Sequence, residues 1–274
     1  MHDIKLILSD IDGTILPYGC KKIPARTIDA FHAALDAGIH VGVATGRNAL
    51  WVRHFFEDDA RCAATCVASN GSEVFLEGEK IREARLNTDA LRRLAERMHE
   101  VSGAGMLVFK GVTPYMVAGS VDDLEKCFPS YAAICEQAGD DIFDEAPIKA
   151  NLFFGSLPAE YYQALVDELG ASIAELDFDI PQPGFGNVMP HGSNKGTAVD
   201  VLAEALGIGL DQVVVFGDNG NDVSMLSHVP NSVAVQGASE EAHAAARWHI
   251  GACEDEAVGE AVARIAAGEW PFQR

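Results

Sequence analysis

Short apolar runs that stop abruptly at polar turn residues mark the first third of this 274-residue chain. Asp3 to Ser9 runs into Asp10-Ile11-Asp12-Gly13-Thr14, Ile39 to Ala44 into Thr45-Gly46-Arg47, and Thr65 to Ser69 into Asn70-Gly71. Runs of this length bounded by turn formers predict buried strands. Between the first two, Ile28, Phe31 and Leu35 recur at helical spacing from Pro24 to Gly38, and Asn48 to Phe56 predicts a second helix. Strands alternating with helices predict a parallel sheet with right-handed crossovers, a doubly wound, Rossmann-like α/β core.

The rhythm changes near residue 72. Glu73 to Leu76 and Lys80 to Leu86 flank Glu77-Gly78-Glu79 as a hairpin. Then follow a helix over Thr88 to Val101, a strand pair over Met106 to Phe109 and Tyr115 to Ala118, and one helical stretch over Asp122 to Ala138. A strand over Ile148 to Phe154, a helix over Pro158 to Leu169 and strands over Ser172 to Phe178 and Gly186 to Met189 complete a mixed α+β section. After Pro190 the first rhythm returns, with a helix from Lys195 to Leu206 and a strand from Gln212 to Phe216 that runs into Gly217-Asp218-Asn219-Gly220-Asn221-Asp222. The pattern therefore predicts a core formed by residues 1–85 and 187–274, interrupted by a smaller α+β domain over 86–186. Gln182-Pro183-Gly184-Phe185-Gly186 is expected to be a flexible return connection.

Open parallel sheets bind ligands beyond the carboxyl ends of their strands. If the predicted strands are neighbours, one rim gathers Asp10, Asp12, Asp218 and Asp222 with Thr45 and Lys195. Two unit charges about 4 Å apart repel by about 4 kcal/mol at an effective dielectric of about 20, so such a rim needs protons or a cation. Hard oxygen ligands suit Mg²⁺, which shares its coordination sphere with substrate phosphate. In that setting Asp10 can attack phosphorus, and Asp12 can protonate the departing alcohol and later deprotonate water. Thr45 and the turn amides can hold phosphoryl oxygens while Lys195 offsets charge. Each piece alone has an ordinary reading: Asp12-Gly13 as a turn, Asn219 to Asp222 as a helix cap, Lys195 as a solvated helix residue. Their convergence on one rim is what distinguishes them.

A formal charge of -21 argues against general nucleic-acid binding, which draws on clustered Lys and Arg. No apolar run is long enough to span a bilayer, and Met1 to Lys5 lacks the start of a secretory signal, so a cytoplasmic location is expected, with no membrane partner. Cys20, Cys62, Cys66, Cys127, Cys135 and Cys253 are scattered without a CxxC pair, which points to reduced thiols and away from zinc. Lys149, Asn151 and Asn187 are read first as solvent-facing positions of alternating strands and second as substrate contacts.

The ordered set Asp10-Ile11-Asp12-Gly13-Thr14, Ala44-Thr45-Gly46-Arg47, Asn194-Lys195-Gly196 and Gly217-Asp218-Asn219-Gly220-Asn221-Asp222 resembles the four motifs of the haloacid dehalogenase superfamily. Within it, the insertion between the second and third motifs resembles the Cof-like branch, and Ser69-Asn70-Gly71 its extra turn. The resemblance implies a phosphatase acting on a small phosphorylated metabolite; a sugar phosphate is the expected substrate, and the chain is expected to be a monomer or a homodimer. It implies Asp10 as nucleophile and metal ligand, Asp12 as general acid/base and backbone-carbonyl ligand, and Asp218 as side-chain ligand. Asp222 would support the Mg²⁺ shell or Lys195. Gly13, Thr45, Gly46, Arg47, Asn70, Lys195 and Asn221 would lie around the phosphate. The inserted domain would act as a cap that selects the substrate, with His191 as a further leaving-group contact. Phosphoryl transfer to a second sugar, and non-catalytic sensing of a phosphometabolite, are the competing functions.

Overall fold

The computed structural model describes residues 3–272; Met1, His2, Gln273 and Arg274, at the ends of the expected core segments, lie outside the described residues. In chain order the elements are β1 (Leu6–Ser9), α1 (Ala25–Asp36), β2 (His40–Ala44), α2 (Ala49–Phe55), β3 (Thr65–Ala68), β4 (Glu73–Leu76) and β5 (Glu79–Glu83). There follow α3 (Thr88–His99), β6 (Gly105–Lys110), β7 (Thr113–Ala118), α4 (Val121–Cys127), α5 (Pro129–Ala132), β8 (Glu136–Gln137), β9 (Ala150–Phe153), α6 (Ala159–Ser172), β10 (Leu176–Gln182) and β11 (Phe185–Pro190). The last third holds α7 (Lys195–Leu206), β12 (Val213–Gly217), α8 (Val223–His228), β13 (Asn231–Gln236), α9 (Glu240–Ala245), β14 (Trp248–Ala252) and α10 (Ala257–Ala266).

The chain divides into two compact units, Met1–Glu83 with Asn194–Arg274, and Ala84–Ser193. The larger unit carries an eight-stranded sheet in the order β14-β13-β12-β1-β2-β3-β4-β5. It is parallel from β14 to β3 and closes with the antiparallel β3-β4-β5 meander. Strand β1 pairs with β2 on one side and β12 on the other, so the strand order reverses between β1 and β12. Its side chains alternate between two apolar layers: Ile7 packs on the face holding Phe31, Phe56 and Val262, while Leu6 and Leu8 pack with Val199, Leu202 and Leu226. Burial on both faces is why β1 reads as an uninterrupted apolar run. Each fully buried side chain of this size contributes about 1.5–3 kcal/mol. The turn between β4 and β5 has Glu77 at φ 51 and Gly78 at φ 88, both left-handed, as the tight hairpin turn requires.

The smaller unit is built on a six-stranded sheet in the order β10-β11-β9-β6-β7-β8. One face packs with α3 and α6 through Leu91, Leu94, Leu165 and Leu169; the other packs with the short α4-α5 region through Leu124, Phe128 and Tyr131. The expected single helix over 122–138 is two short helices, because Pro129, which cannot donate to the preceding turn, sits at the first position of α5. The expected flexible connection at Gln182 to Gly186 is a tight hairpin turn: Gln182 pairs with Phe185, and Pro183 and Gly184 (φ 77) make the bend. Strand β11 belongs wholly to this sheet, so residues 187–193, expected in the core, pack with the smaller unit.

Lys149, Asn151 and Asn187 do not face solvent; they are 8%, 0% and 6% exposed. Asn151 and Asn187 are register partners on β9 and β11. Asn151 Nδ2 donates to Asn187 Oδ1 at 2.9 Å and to the Gly186 carbonyl at 3.0 Å, while Asn187 Nδ2 donates to Asp179 Oδ1 at 2.6 Å. Because Asp179 and the carbonyl only accept, this chain of donors fixes both amide orientations. Lys149 Nζ lies 5.2 Å from the Phe109 ring centroid, a cation over an aromatic face.

Candidate active site

Asp10 follows the last residue of β1, and Asp218 follows the last residue of β12, so the reversal of strand order places them side by side. The Asp10 amide donates to the Phe216 carbonyl at 2.9 Å, extending the ladder one step past β1. The loop then folds tightly, with the Ile11 carbonyl accepting from Ile15 and Leu16 at 3.0 and 2.8 Å. Gly13, at φ 83, is required here, since a Cβ would sit 2.5 Å from Asp218 Oδ2.

Lys195 is the first residue of α7, whose start is fixed by the Asn194 and Thr197 capping box. Its Nζ donates to Asp10 Oδ1 and to Asp222 Oδ1, each at 2.6 Å, and its side chain is fully buried. Asp222 Oδ2 accepts the amides of Asp218 and Asn219 at 2.9 and 3.0 Å. Both Asp222 oxygens are therefore engaged, one holding the lysine and the other the turn that presents Asp218. Oδ2 of Asp10, by contrast, has no hydrogen-bond donor among the described residues.

The second strand end is stitched to the third. Thr45 donates its amide to Val67, accepts the Asn70 amide at 3.1 Å through its carbonyl, and accepts the Arg47 amide at 3.1 Å through Oγ1. Asn70 Oδ1 accepts from Asn221 Nδ2 at 3.1 Å, tying this turn to the late motif. Ser69, Asn70 and Gly71 are consecutive left-handed residues at φ 49, 53 and 95. Gly71 has no room for a side chain, because a Cβ would lie 2.4 Å from the Asn194 carbonyl oxygen. Asp12 is held apart from the carboxylate cluster by a two-pronged ion pair: Arg47 Nε and Nη2 reach its two oxygens, each at 2.7 Å. Both side chains of that pair are more than a third exposed.

Electrostatics load the rim with negative charge. Burial pushes the Asp10 carboxyl well above the usual carboxylate range; Lys195 pulls it back, and Asp222, Asp218 and Asp12 push it up further. Asp218 is pushed up to about 7, by burial first and then by Asp222, against the hydrogen bond from Thr14. Burial works against the Lys195 ammonium, yet Asp10 and Asp222 overcome it and hold its pKa above the ordinary lysine value. Four carboxylates against Lys195 and Arg47 leave two negative charges. One ligand atom each from Asp10, Asp218 and Asp222 lies within 4.8 Å of the others. An all-oxygen donor set of that charge fits a hard divalent cation.

Two residues to which the sequence reading gave no role also belong here. Thr14 Oγ1 donates to Asp218 Oδ1 at 2.9 Å, and the exposed Tyr18 reaches Asp218 Oδ2 with its hydroxyl at 3.5 Å. Thr14 was visible as the last residue of the first motif; nothing in the sequence singles out Tyr18. His191 belongs to the smaller unit, where it is exposed with Nδ1 2.9 Å from Asp177 Oδ1.

The doubly wound sheet with an acidic rim at its switch point is that of an α/β enzyme. The chain belongs to the haloacid dehalogenase-like hydrolases, whose family model matches residues 7–262, and within them to the Cof-like phosphatases. It is 26% identical over 273 residues, 99% of each chain, to the 5-amino-6-(5-phospho-D-ribitylamino)uracil phosphatase YbjI of Escherichia coli. It is 28% identical over 241 residues, 82% of this chain and 81% of the other, to the HMP-PP phosphatase of Yersinia pestis. Among solved structures, the phosphatase BT1666 from Bacteroides thetaiotaomicron superposes with a TM-score of 0.83 at 22% identity, covering 95% of this chain and 94% of that one. The sugar phosphatase BT4131 superposes with a TM-score of 0.77 at 23% identity, covering 95% and 98%. No helix among the described residues is long and apolar enough to cross a membrane.

Proposed function

We propose that the chain is a Mg²⁺-dependent phosphomonoester hydrolase that works through an aspartyl-phosphate on Asp10, acting on a small phosphorylated metabolite such as a sugar phosphate. The observation that carries this reading is the pairing of Lys195 with Oδ1 of Asp10, which leaves Oδ2 open as a nucleophile beside Asp218. The relatives with metabolite phosphatase names support the substrate class. Asp10, Asp218 and the backbone carbonyl of Asp12 would hold Mg²⁺, with Asp222 supporting from behind through Lys195 and the Asp218 amide. When bound, the ion supplies charge neutralisation for the carboxylates and the transferring phosphoryl group.

In the first step Asp10 Oδ2 bonds to phosphorus as the ester P–O bond breaks, and the departing alkoxide takes a proton from Asp12. In the second, Asp12 takes a proton from water as that water attacks phosphorus and releases Asp10. Thr45, the turn amides about Gly13 and Gly46, and Asn221, steadied by Asn70, would bind phosphoryl oxygens. Arg47 occupies both oxygens of Asp12 before substrate arrives, so the fork must open for Asp12 to carry a proton. An incoming phosphate, with more negative charge than one carboxylate, draws Arg47 away. A cytoplasmic setting accords with six free cysteines.

The test is phosphate release from a panel of phosphorylated metabolites after metal is stripped. Activity falls to background in chelator and returns with Mg²⁺; activity that persists in chelator removes the metal from the reading. A second measurement isolates Asp12. Asp12→Asn lowers turnover of alkyl phosphates by about 10²–10⁴-fold, and much less for a nitrophenyl ester, whose leaving group needs no proton. Equal losses on both esters would reject the proton role.

A further inference from the structure

A second cluster of ligating side chains lies away from the rim, in the larger unit. His32, midway along α1, and Asp59 and Cys62, in the turn between α2 and β3, each bring one ligand atom to within 4.8 Å of the others. His32 Nε2 is 2.7 Å from Asp59 Oδ2 and 3.8 Å from Cys62 Sγ. A Cys-His-Asp catalytic relay uses the two ring nitrogens separately, one toward the thiol and one toward the carboxylate. Here the same nitrogen faces both groups, which is the geometry of a shared centre. Asp59 is pre-set for it, since Oδ1 accepts the amides of Arg61 and Cys62 at 2.8 and 3.1 Å and so turns Oδ2 toward the histidine. The thiol is buried, whereas the His32 and Asp59 side chains are 28% and 25% exposed, which leaves water a path to a fourth position.

We propose that His32, Asp59 and Cys62 form a site for a borderline-soft transition metal, Zn²⁺ or Co²⁺, distinct from the all-oxygen catalytic cluster. Nitrogen, oxygen and sulfur ligands at about 2.0–2.3 Å from a tetrahedral ion lie roughly 3.3–3.6 Å apart. The two histidine separations, 2.7 and 3.8 Å, bracket that range, and the carboxylate and thiol atoms lie within 4.8 Å of each other, so side-chain adjustments on the order of an ångström suffice. A mixed set containing a thiolate selects against Mg²⁺, so the two centres would not compete for the same ion. Binding releases the Cys62 thiol proton to water and moves the ring proton of His32 from Nε2 to Nδ1, leaving the dication balanced by thiolate and carboxylate. Burial pushes the free Cys62 thiol up to about 12, so the thiolate forms only with the metal. Arg61 Nη1 now stands 3.3 Å from Nδ1 and Nη2 holds Asp36 at 2.6 Å. Metal entry must displace that contact, and Asp36, one turn along α1 from His32, is the carboxylate of the right charge to accept Nδ1–H.

The test uses the full chain, stripped of metal and then saturated with Mg²⁺ to fill the catalytic carboxylates. Titration with Co²⁺ is expected to give one equivalent of binding, with tetrahedral visible bands and a thiolate-to-metal band in the near ultraviolet, and Zn²⁺ displaces it. Cys62→Ser abolishes the thiolate band, while Cys20→Ser, at an exposed cysteine, and Asp10→Asn leave it intact. His32→Gln, at a half-buried helix position that tolerates change if Cys62→Ser does not fold, weakens Co²⁺ binding at least about tenfold. Absence of a thiolate band in the parent, its survival in folded Cys62→Ser, or unchanged affinity in His32→Gln overturns the site and leaves His32 and Asp59 as a simple hydrogen-bonded pair.

Discussion

Asp10→Asn is expected to lower phosphate release by about 10⁴-fold or more while the chain stays folded. The carboxamide is nearly the size of the carboxylate, so Lys195 keeps an oxygen at the position that Oδ1 occupies 2.6 Å away. What is lost is the charged oxygen that attacks phosphorus, and removing a covalent nucleophile commonly costs on this scale because no neighbour repeats its role. Stability moves little, since burial already disfavours the Asp10 charge and a neutral amide removes that cost. Initial rates on a phosphomonoester, with circular dichroism on the same sample, make the check. A folded variant turning over at the parental rate would show that another group attacks.

That expectation was open to sequence reading because the physics that hides β1 also displays it. A strand buried on both faces must be apolar throughout, so Leu6-Ile7-Leu8 announces itself, and the first charged residue after it marks the sheet edge. The same reasoning exposed the ends of β2, β3 and β12, and the strand order then brought Asp10, Thr45, Asn70, Lys195 and Asp222 together. What stayed hidden were the partnerships that close at long range. The fork between Asp12 and Arg47 joins residues on two different strand ends, and Thr14 and Tyr18 meet Asp218 some two hundred positions later. No periodicity encodes such contacts. The polar residues of β9 and β11 misled for a related reason: the sequence does not show that Asn151 donates to its register partner Asn187 and Asn187 in turn to Asp179, a chain of donors that lets both amides be buried. Pro129, by contrast, is a break that the expected single helix over 122–138 passed over, although a proline inside a helical stretch signals one.

The rim also makes a prediction about stability, because its charges were buried along with the lysine that balances them. Lys195→Met keeps the length and apolar stem of the side chain but leaves Asp10 and Asp222 facing each other inside the protein. Removing one partner of a buried ion pair costs about 3–5 kcal/mol, since the remaining charge keeps its desolvation penalty and loses its counterion. Thermal denaturation of the metal-free variant is expected roughly 10 °C below the parent, and Mg²⁺ should recover part of the difference by supplying positive charge to the same carboxylates. Activity falls as well, because the ammonium balances charge on Asp10 and the phosphoryl group. Adding Asp222→Asn separates the two effects. An asparagine oxygen can still accept the Asp218 and Asn219 amides, while its NH₂ replaces the oxygen that had faced the lysine. The double variant should regain much of the lost stability, a non-additive result expected of residues in one network, yet stay inactive. If Lys195→Met melted with the parent and kept its rate, the buried lysine would be neither the counterion of this site nor part of its chemistry.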